Sequence, residues 1–323
     1  MGLGTAQVDG AEGRMTGKVA FCFPGQGSLE AGMGREIARA EPEAMEIFER
    51  ASEAAGLDLV RLVFDAPEIE LVDTEVQQPA LIATSLAFLA AIRERGIKPD
   101  FVVGHSVGEF AALAAASALK VEEAISLVRE RGIAMAEAAK RHPGSMAAIL
   151  GLDDATVERI CRRILNVWPA NYNCPGQVVI SGEHASVEEA CALAQEEGAR
   201  RAVKLRVSGA FHSPLVARAA DRLRPAIEKV KFSEPTAPFM STVTARVENA
   251  KRMGPLVLEQ LTAPVRFTQA AQALVKEGVN TFVEVGPGNV LSGLVKRIDR
   301  NARTISVNTP AAVDRLEETL GTV

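Results

Sequence analysis

The stretch FVVGHSVGEFAALAAASAL, residues 101–119, decides the fold. It begins with a β-rich apolar run, Phe101–Gly104, passes through the pattern Gly-x-Ser-x-Gly and continues as an Ala-rich helical segment. A serine at a strand-to-helix turn is lifted out of the backbone, and flanking glycines remove side-chain clashes from that turn. The following helix N-terminus favours negative charge nearby. We therefore predict that Ser106 is a nucleophile; a tight glycine turn with an incidental serine is the alternative.

Around this stretch, short β-rich runs alternate with helical patterns, which is typical of a parallel α/β sheet. Strands are predicted at residues 19–23, 101–104, 239–243, 281–285 and 304–307. Helices are predicted at residues 79–96, 107–119, 121–140, 213–229, 267–277 and 290–297. The fold class is therefore α/β, with a parallel-sheet, α/β-hydrolase-like large domain.

Between residues 146 and 203 the pattern changes to βαββαβ, which is the ferredoxin-like arrangement. Its predicted elements are strands 146–150, 168–172, 177–181 and 201–204 and helices 153–165 and 186–197. We expect residues 141–208 to be an inserted small subdomain, residues 18–140 and 209–323 to form the large catalytic domain, and residues 1–17 to be a flexible tail. A cleft between the two parts is the expected ligand site.

Composition and charge exclude several classes of protein. Hydrophobic residues make up 47% of the 323 residues and charged residues 24%, which is ordinary for a folded soluble protein. The net charge of -5 gives no excess positive field, so neither nucleic acid nor a membrane surface is an expected partner. The four cysteines form no CxxC pair and no export leader precedes them, so we expect free buried thiols and a cytoplasmic location.

A serine hydroxyl needs a base, and the sequence offers four histidines. His105 is adjacent to the serine, so its ring should point away from the hydroxyl. His142, at a polar helix exit, and His184, in a turn, are expected at the surface. His212 lies where the inserted subdomain returns to the main sheet, which should place it at the cleft, and we predict that it is the base.

Seven short blocks resemble, in the same order, those of the malonyl-CoA:acyl-carrier-protein transacylases and the related acyltransferase domains of polyketide synthases. They are FPGQGS (23–28), QPAL (78–81), GHSVGE (104–109), RG (131–132), NYN with PGQ (171–173 and 175–177), FHSP (211–214) and EVGPG (284–288). The resemblance covers residues 19–308. It implies that Ser106 carries a malonyl group from malonyl-CoA to the thiol of a holo acyl carrier protein, in fatty acid or polyketide biosynthesis, with His212 as base.

The resemblance also implies further site residues. The backbone N–H groups of Gln26 and Val107 would form the oxyanion hole, and the backbone carbonyl of Arg266 would orient the His212 ring. The acyl pocket would contain Gln78, Met135 and Phe211, the last leaving no room for a methyl branch. No metal and no bound cofactor are expected, with malonyl-CoA as substrate and coenzyme A as product. Gln77 departs from the family pattern, in which a smaller residue is commoner.

Arg131 decides the expected substrate. Arg129 and Arg131 both flank the apolar stripe of helix 121–140, so periodicity does not choose between them. The family pattern of Arg, Gly and a following Met picks Arg131. A guanidinium holds a carboxylate through two parallel charge-assisted hydrogen bonds, so Arg131 should select malonyl over acetyl groups.

Two other functions remain open for this sequence. A hydrolase of the same fold would release acyl groups from carrier proteins to water; Arg131 counts against it, because such an enzyme needs no malonate clamp. A non-catalytic docking domain of a synthase is the other, and the joint presence of Ser106, His212 and Arg131 counts against that.

Overall fold

The structure is a computed structural model that describes residues 17–320, so the tail predicted at residues 1–17 lies almost wholly outside the described residues. Two sheets are formed. Their strands are β1 (Lys18–Phe23), β2 (Phe101–Gly104), β3 (Ser145–Leu150), β4 (Val167–Cys174), β5 (Gln177–Gly182), β6 (Arg201–Lys204), β7 (Phe239–Ser241), β8 (Arg246–Glu248), β9 (Val279–Val285) and β10 (Arg303–Val307).

Helices surround both sheets. The α-helices are α1 (Arg35–Ala40), α2 (Pro42–Ala55), α3 (Leu59–Phe64), α4 (Glu68–Leu71), α5 (Thr74–Glu94), α6 (Gly108–Ala115), α7 (Val121–Arg141), α8 (Asp154–Arg163), α9 (His184–Glu196), α10 (Ala217–Glu228), α11 (Ala250–Glu259), α12 (Phe267–Lys276), α13 (Val290–Ile298) and α14 (Pro310–Leu320). Short 3-10 helices occur at Gln26–Ser28 and Pro214–Val216.

The large sheet has the strand order β10-β9-β1-β2-β7-β8 and is parallel except for β8, which pairs antiparallel with β7. Helices cover both faces of a parallel sheet, so its strands read as continuous apolar runs. All four residues of β2 are buried, for example. The predicted parallel α/β fold is confirmed, and the nucleophile candidate follows β2 in the middle of this sheet.

The small sheet has the order β4-β5-β3-β6 and is antiparallel throughout. Together with α8 and α9 it forms the predicted ferredoxin-like βαββαβ unit, which has its own buried apolar cluster. The boundaries proposed for this subdomain, residues 141 and 208, stay a prediction. A β-bridge between Asn171 and Val265 joins β4 to the segment before α12, so the small unit is hydrogen-bonded directly to the large one.

Helix α5 begins at Thr74, five residues before the predicted start at Pro79. A proline within a helix leaves the carbonyl four residues earlier without its usual N–H partner. Here that carbonyl belongs to Glu75, and it accepts a hydrogen bond from Arg129 Nη1 in α7 at 2.6 Å instead. The length and apolarity of α5 would suffice to cross a membrane, but 83% of its most apolar window is buried inside the protein, as in a core helix.

Candidate active site

Ser106 lies in the sharp turn between β2 and α6 with a φ of 53°, in the left-handed region. Both flanking glycines are required by close backbone approaches. A Cβ on Gly104 would lie 2.1 Å from the backbone nitrogen of Glu109, and one on Gly108 would lie 2.2 Å from the carbonyl oxygen of Phe23. The strand, turn and helix therefore have the predicted arrangement, which presents the serine hydroxyl outside the backbone.

His212 meets this serine although 106 residues separate them in the chain, with Nε2 lying 2.7 Å from Ser106 Oγ. Its other ring nitrogen, Nδ1, lies 2.9 Å from the backbone oxygen of Gln260 and 3.2 Å from that of Ala263. A carbonyl oxygen can only accept, so Nδ1 must carry the ring proton. Nε2 is consequently the acceptor for the serine hydroxyl, which is the orientation that a base requires.

The predicted role of the Arg266 carbonyl is wrong. His212 Nδ1 bonds the carbonyls of Gln260 and Ala263 instead, while the Arg266 carbonyl accepts from the backbone N–H of Ala270 in the first turn of α12. The carbonyls of Gln260 and Ala263 take the role together. That of Gln260 lacks a helical partner, because helix α11 ends at Glu259 and the residue four positions after Gln260 is Pro264, which has no N–H to offer.

Arg131 is only 1% exposed and lies directly behind the serine. Its Nη1 donates to Gln78 Oε1 at 2.8 Å, while Nη2 donates to Gln260 Oε1 at 3.0 Å and to Ser106 Oγ at 3.2 Å. Its buried Nε has no partner, and within residues 17–320 the guanidinium forms no ion pair. Burial lowers the pKa of Arg131 to about 10, so it stays cationic at neutral pH.

Two buried polar residues that were not predicted connect these groups. The Gln260 amide donates through Nε2 to the backbone oxygen of Ser106 at 3.0 Å and to Glu109 Oε2. The other carboxylate oxygen of Glu109 accepts from the backbone N–H and the hydroxyl of Thr242. Burial raises the pKa of Glu109, against these hydrogen bonds and the charge of Arg131, which favour the ionised form. The sequence did contain a signal for Glu109, which lies within an otherwise apolar helical run. A glutamate is rarely buried unless it has partners, so its position there indicates a buried polar network.

A cavity of about 300 Å³ opens in front of the serine and is lined by Ser106, Met135, Phe211 and His212, among others. Met135 and Phe211 therefore have the predicted position on the wall of the pocket. Gln78 does not line the cavity: its amide holds Arg131 on one side and contacts Met135 Sδ at 3.4 Å on the other. Its predicted place in the pocket is corrected to a place behind it.

The backbone N–H groups of Gln26 and Val107, predicted to form the oxyanion hole, donate no hydrogen bond within residues 17–320. Gln26 also lines the cavity. The His105 ring, which was predicted to point away from the serine, bonds Asn173 instead, with Nε2 2.9 Å from Asn173 Oδ1. His142 and His184 are exposed, also as predicted. Of the four histidines, only His212 contacts the serine hydroxyl.

The environment of His212 keeps its imidazole neutral. Burial is the largest cause and the positive charge of Arg131 the next, and together they lower the pKa of His212 to about 3 against the opposing effect of the two carbonyl partners. At neutral pH the lone pair on Nε2 is therefore free to accept a proton. His212 can therefore activate the Ser106 hydroxyl, beside an Arg131 guanidinium that forms no ion pair within the described residues.

Comparison with known proteins agrees with this geometry. The sequence profile of the acyl transferase domain family matches residues 20–314, so fold and site define an acyl transferase domain. The malonyl CoA-acyl carrier protein transacylase of Bacillus subtilis (strain 168) is 44% identical over 308 residues, which are 94% of this chain and 97% of that protein. The chain belongs to the malonyl CoA-acyl carrier protein transacylase family.

Solved structures support the same assignment. The malonyl CoA-acyl carrier protein transacylase from Coxiella burnetii matches with a TM-score of 0.92 and 39% identity, over 95% of this chain and 98% of that one. A malonyl-transacylase in complex with a type II PKS acyl-carrier protein matches with a TM-score of 0.91 and 38% identity, over 94% of this chain and 99% of that one.

Proposed function

We propose that this chain transfers a malonyl group from malonyl-CoA to the phosphopantetheine thiol of an acyl carrier protein, through an ester on Ser106. The observation that carries the proposal is Arg131, a buried guanidinium without an ion pair whose Nη2 lies 3.2 Å from Ser106 Oγ. Glu109 interacts with this charge only across Gln260, without an ion pair, so the site favours an acyl group that brings its own carboxylate. Arg131 is not among the residues that line the cavity, but the malonyl carboxylate lies three bonds beyond the ester oxygen, so Nη2 beside Ser106 Oγ is the donor it would meet.

In the first half-reaction, Ser106 Oγ attacks the thioester carbon while His212 Nε2 takes the hydroxyl proton. The negative charge that develops on the carbonyl oxygen is held by the free N–H groups of Gln26 and Val107. The carbon–sulfur bond then breaks and His212 returns the proton to sulfur, so coenzyme A leaves as the thiol.

In the second half-reaction, the carrier-protein thiol gives its proton to His212 and its sulfur attacks the malonyl ester. The bond to Ser106 Oγ breaks and the serine recovers the proton from His212. Every proton and charge in this cycle has a partner among the chain's own residues, and we therefore propose a reaction that needs neither a metal nor a bound cofactor.

The proposed carrier-protein partner draws support from the names of the relatives. The Bacillus subtilis and Coxiella burnetii proteins are malonyl CoA-acyl carrier protein transacylases, and a solved relative from Bartonella henselae is an acyl-carrier-protein-S-malonyltransferase. One solved relative is itself bound to a type II PKS acyl-carrier protein. A cytoplasmic location is part of the proposal, in keeping with four cysteines that are all free thiols.

The test is intact-protein mass after incubation with malonyl-CoA. The wild-type chain should gain one malonyl group that holo acyl carrier protein removes, whereas Ser106→Ala should gain none. Ser126→Ala serves as the matched control, because Ser126 is exposed in α7 and its hydroxyl bonds only the carbonyl of Ala54. An adduct on Ser106→Ala would refute the assigned nucleophile, and rapid loss of the adduct to water alone would favour a hydrolase.

A further inference from the structure

Gln77 is a buried amide that the proposed chemistry leaves unused. Its side chain is 8% exposed and lines the cavity in front of Ser106. Its Oε1 is buried and accepts no hydrogen bond from any of residues 17–320. Buried polar atoms in native proteins nearly always have a partner, so an unpartnered acceptor on a residue that lines a ligand cavity indicates a donor on the ligand, which the amide reaches by turning toward the cavity.

The chemistry of the ligand limits which of its parts can supply that donor. A malonyl thioester has only acceptors at neutral pH, since its carboxylate and its thioester oxygen carry no hydrogen. The phosphopantetheine arm shared by coenzyme A and holo carrier protein contains two amide N–H groups and a hydroxyl. We infer that Gln77 accepts a hydrogen bond from an amide N–H of this arm and positions it, an inference that rests on the proposed function.

A second feature of the same cavity agrees with this occupant. Among the described residues that line the cavity, Arg206 is the one Lys, Arg, Asp or Glu, and it is exposed at the wall. Within the described part of the chain it has no hydrogen bond or ion pair. The arm ends in a phosphate, for which a free guanidinium is a suitable partner. The exposed Val290 on the same wall offers an apolar surface to the methylene and methyl groups of the arm.

The inference is tested by separating the arm from the acyl group. Gln77→Met keeps the length of the side chain but removes the acceptor. It should weaken binding of free coenzyme A, measured by calorimetry, roughly fivefold to tenfold, the size of one uncharged hydrogen bond. It should lower kcat/KM for Ser106 acylation by malonyl-CoA by a similar factor. Acylation by malonyl ethyl thioester, which lacks the arm, should be unchanged.

Gln269→Met is the matched control, because Gln269 in α12 also has a buried Oε1 without a partner but does not line the cavity. It should leave both substrates and coenzyme A binding unchanged. Gln77→Ala should repeat the result of Gln77→Met, and thermal unfolding should show both variants folded at the assay temperature.

Equal losses with both thioesters, or unchanged coenzyme A affinity, would overturn the role of Gln77. Wild-type protein that binds coenzyme A but gains no malonyl group would instead contradict the proposed function. In that case the coenzyme A affinities of the variants would still decide the role of Gln77.

Discussion

Replacing Arg131 by Ala should convert the enzyme from malonyl-selective to weakly selective. The guanidinium is 1% exposed, holds no carboxylate of the protein and has an unused Nε beside an Nη2 that faces the nucleophile. In wild type, an acetyl group would leave this buried charge unpaired, whereas a malonyl carboxylate pairs with it. The alanine variant removes both the ion pair that favours a malonyl group and the unpaired charge that disfavours an acetyl group.

The expected loss of kcat/KM follows from the two N–H donors of Arg131 that a malonyl carboxylate would bond. Each hydrogen bond to a charged group contributes about 1.5 to 3 kcal/mol, so two contribute about 3 to 6 kcal/mol. At about 1.4 kcal/mol per factor of ten, kcat/KM for malonyl-CoA should fall roughly 10²- to 10⁴-fold in Arg131→Ala. The assay is the rate of Ser106 acylation by malonyl-CoA and by acetyl-CoA, followed by intact mass.

The neighbouring Arg129 supplies the control. Arg129→Ala also deletes a guanidinium from α7, but that guanidinium bonds the Glu75 carbonyl and does not contact Ser106. It should lower stability and leave the ratio of malonyl to acetyl acylation as in wild type. If Arg131→Ala kept the wild-type ratio, the carboxylate clamp would be refuted.

Three further predictions concern the base, the buried acid and the turn. Because the pKa of His212 is lowered to about 3, its neutral form persists as pH falls, and the acylation rate should stay level from about pH 8 to pH 5. A decline centred near the ordinary histidine value of about 6.5 would contradict this. Arg131→Ala should move the acid limb to higher pH, since it removes a neighbouring positive charge. Glu109→Ala leaves the buried donors of Thr242 and Gln260 without an acceptor, at about 1 to 3 kcal/mol for each residue, so the free energy of unfolding in urea should fall by about 2 to 6 kcal/mol. The exposed Glu228→Ala should change it little, and equal effects would argue against the buried network. Gly108→Ala places a Cβ 2.2 Å from the Phe23 oxygen and should abolish the folded state, as measured by thermal unfolding. The control Gly293→Ala, in open space in α13, should be neutral or slightly stabilising. A normally folded Gly108→Ala would disprove the close approach.

Much of the fold could be predicted from the sequence because its strands are short apolar runs punctuated by turns. Strands β2 and β6 have the predicted bounds, and the order of the small sheet is that of the predicted ferredoxin-like unit. Helices α1 to α4 were not predicted. Three of them have only four to six residues, too few for an amphipathic period to emerge.

The site shows a similar division. Ser106 could be predicted because the Gly-x-Ser-x-Gly turn requires its two glycines. His212 could be paired with it because the other three histidines are either adjacent to the serine or in polar surface segments. The orienting carbonyl could not be placed by resemblance, since a backbone oxygen leaves no mark on residue identity. The best available signal was Pro264, which deprives the Gln260 carbonyl of a helical partner. The contacts of Gln260 and Glu109 depend on three distant segments meeting, which no local pattern encodes.

The proline inside α5 has a consequence for selectivity. The carbonyl that Pro79 leaves unsatisfied is bonded by an arginine two residues before Arg131, while Gln78, next to the proline, bonds Arg131 itself. Sliding α5 along α7 by one residue would break both bonds at once and strand a buried acceptor. Pro79, a residue type that usually disrupts helices, therefore helps to fix the position of α5 along α7. That position in turn sets how close the Arg131 guanidinium lies to Ser106.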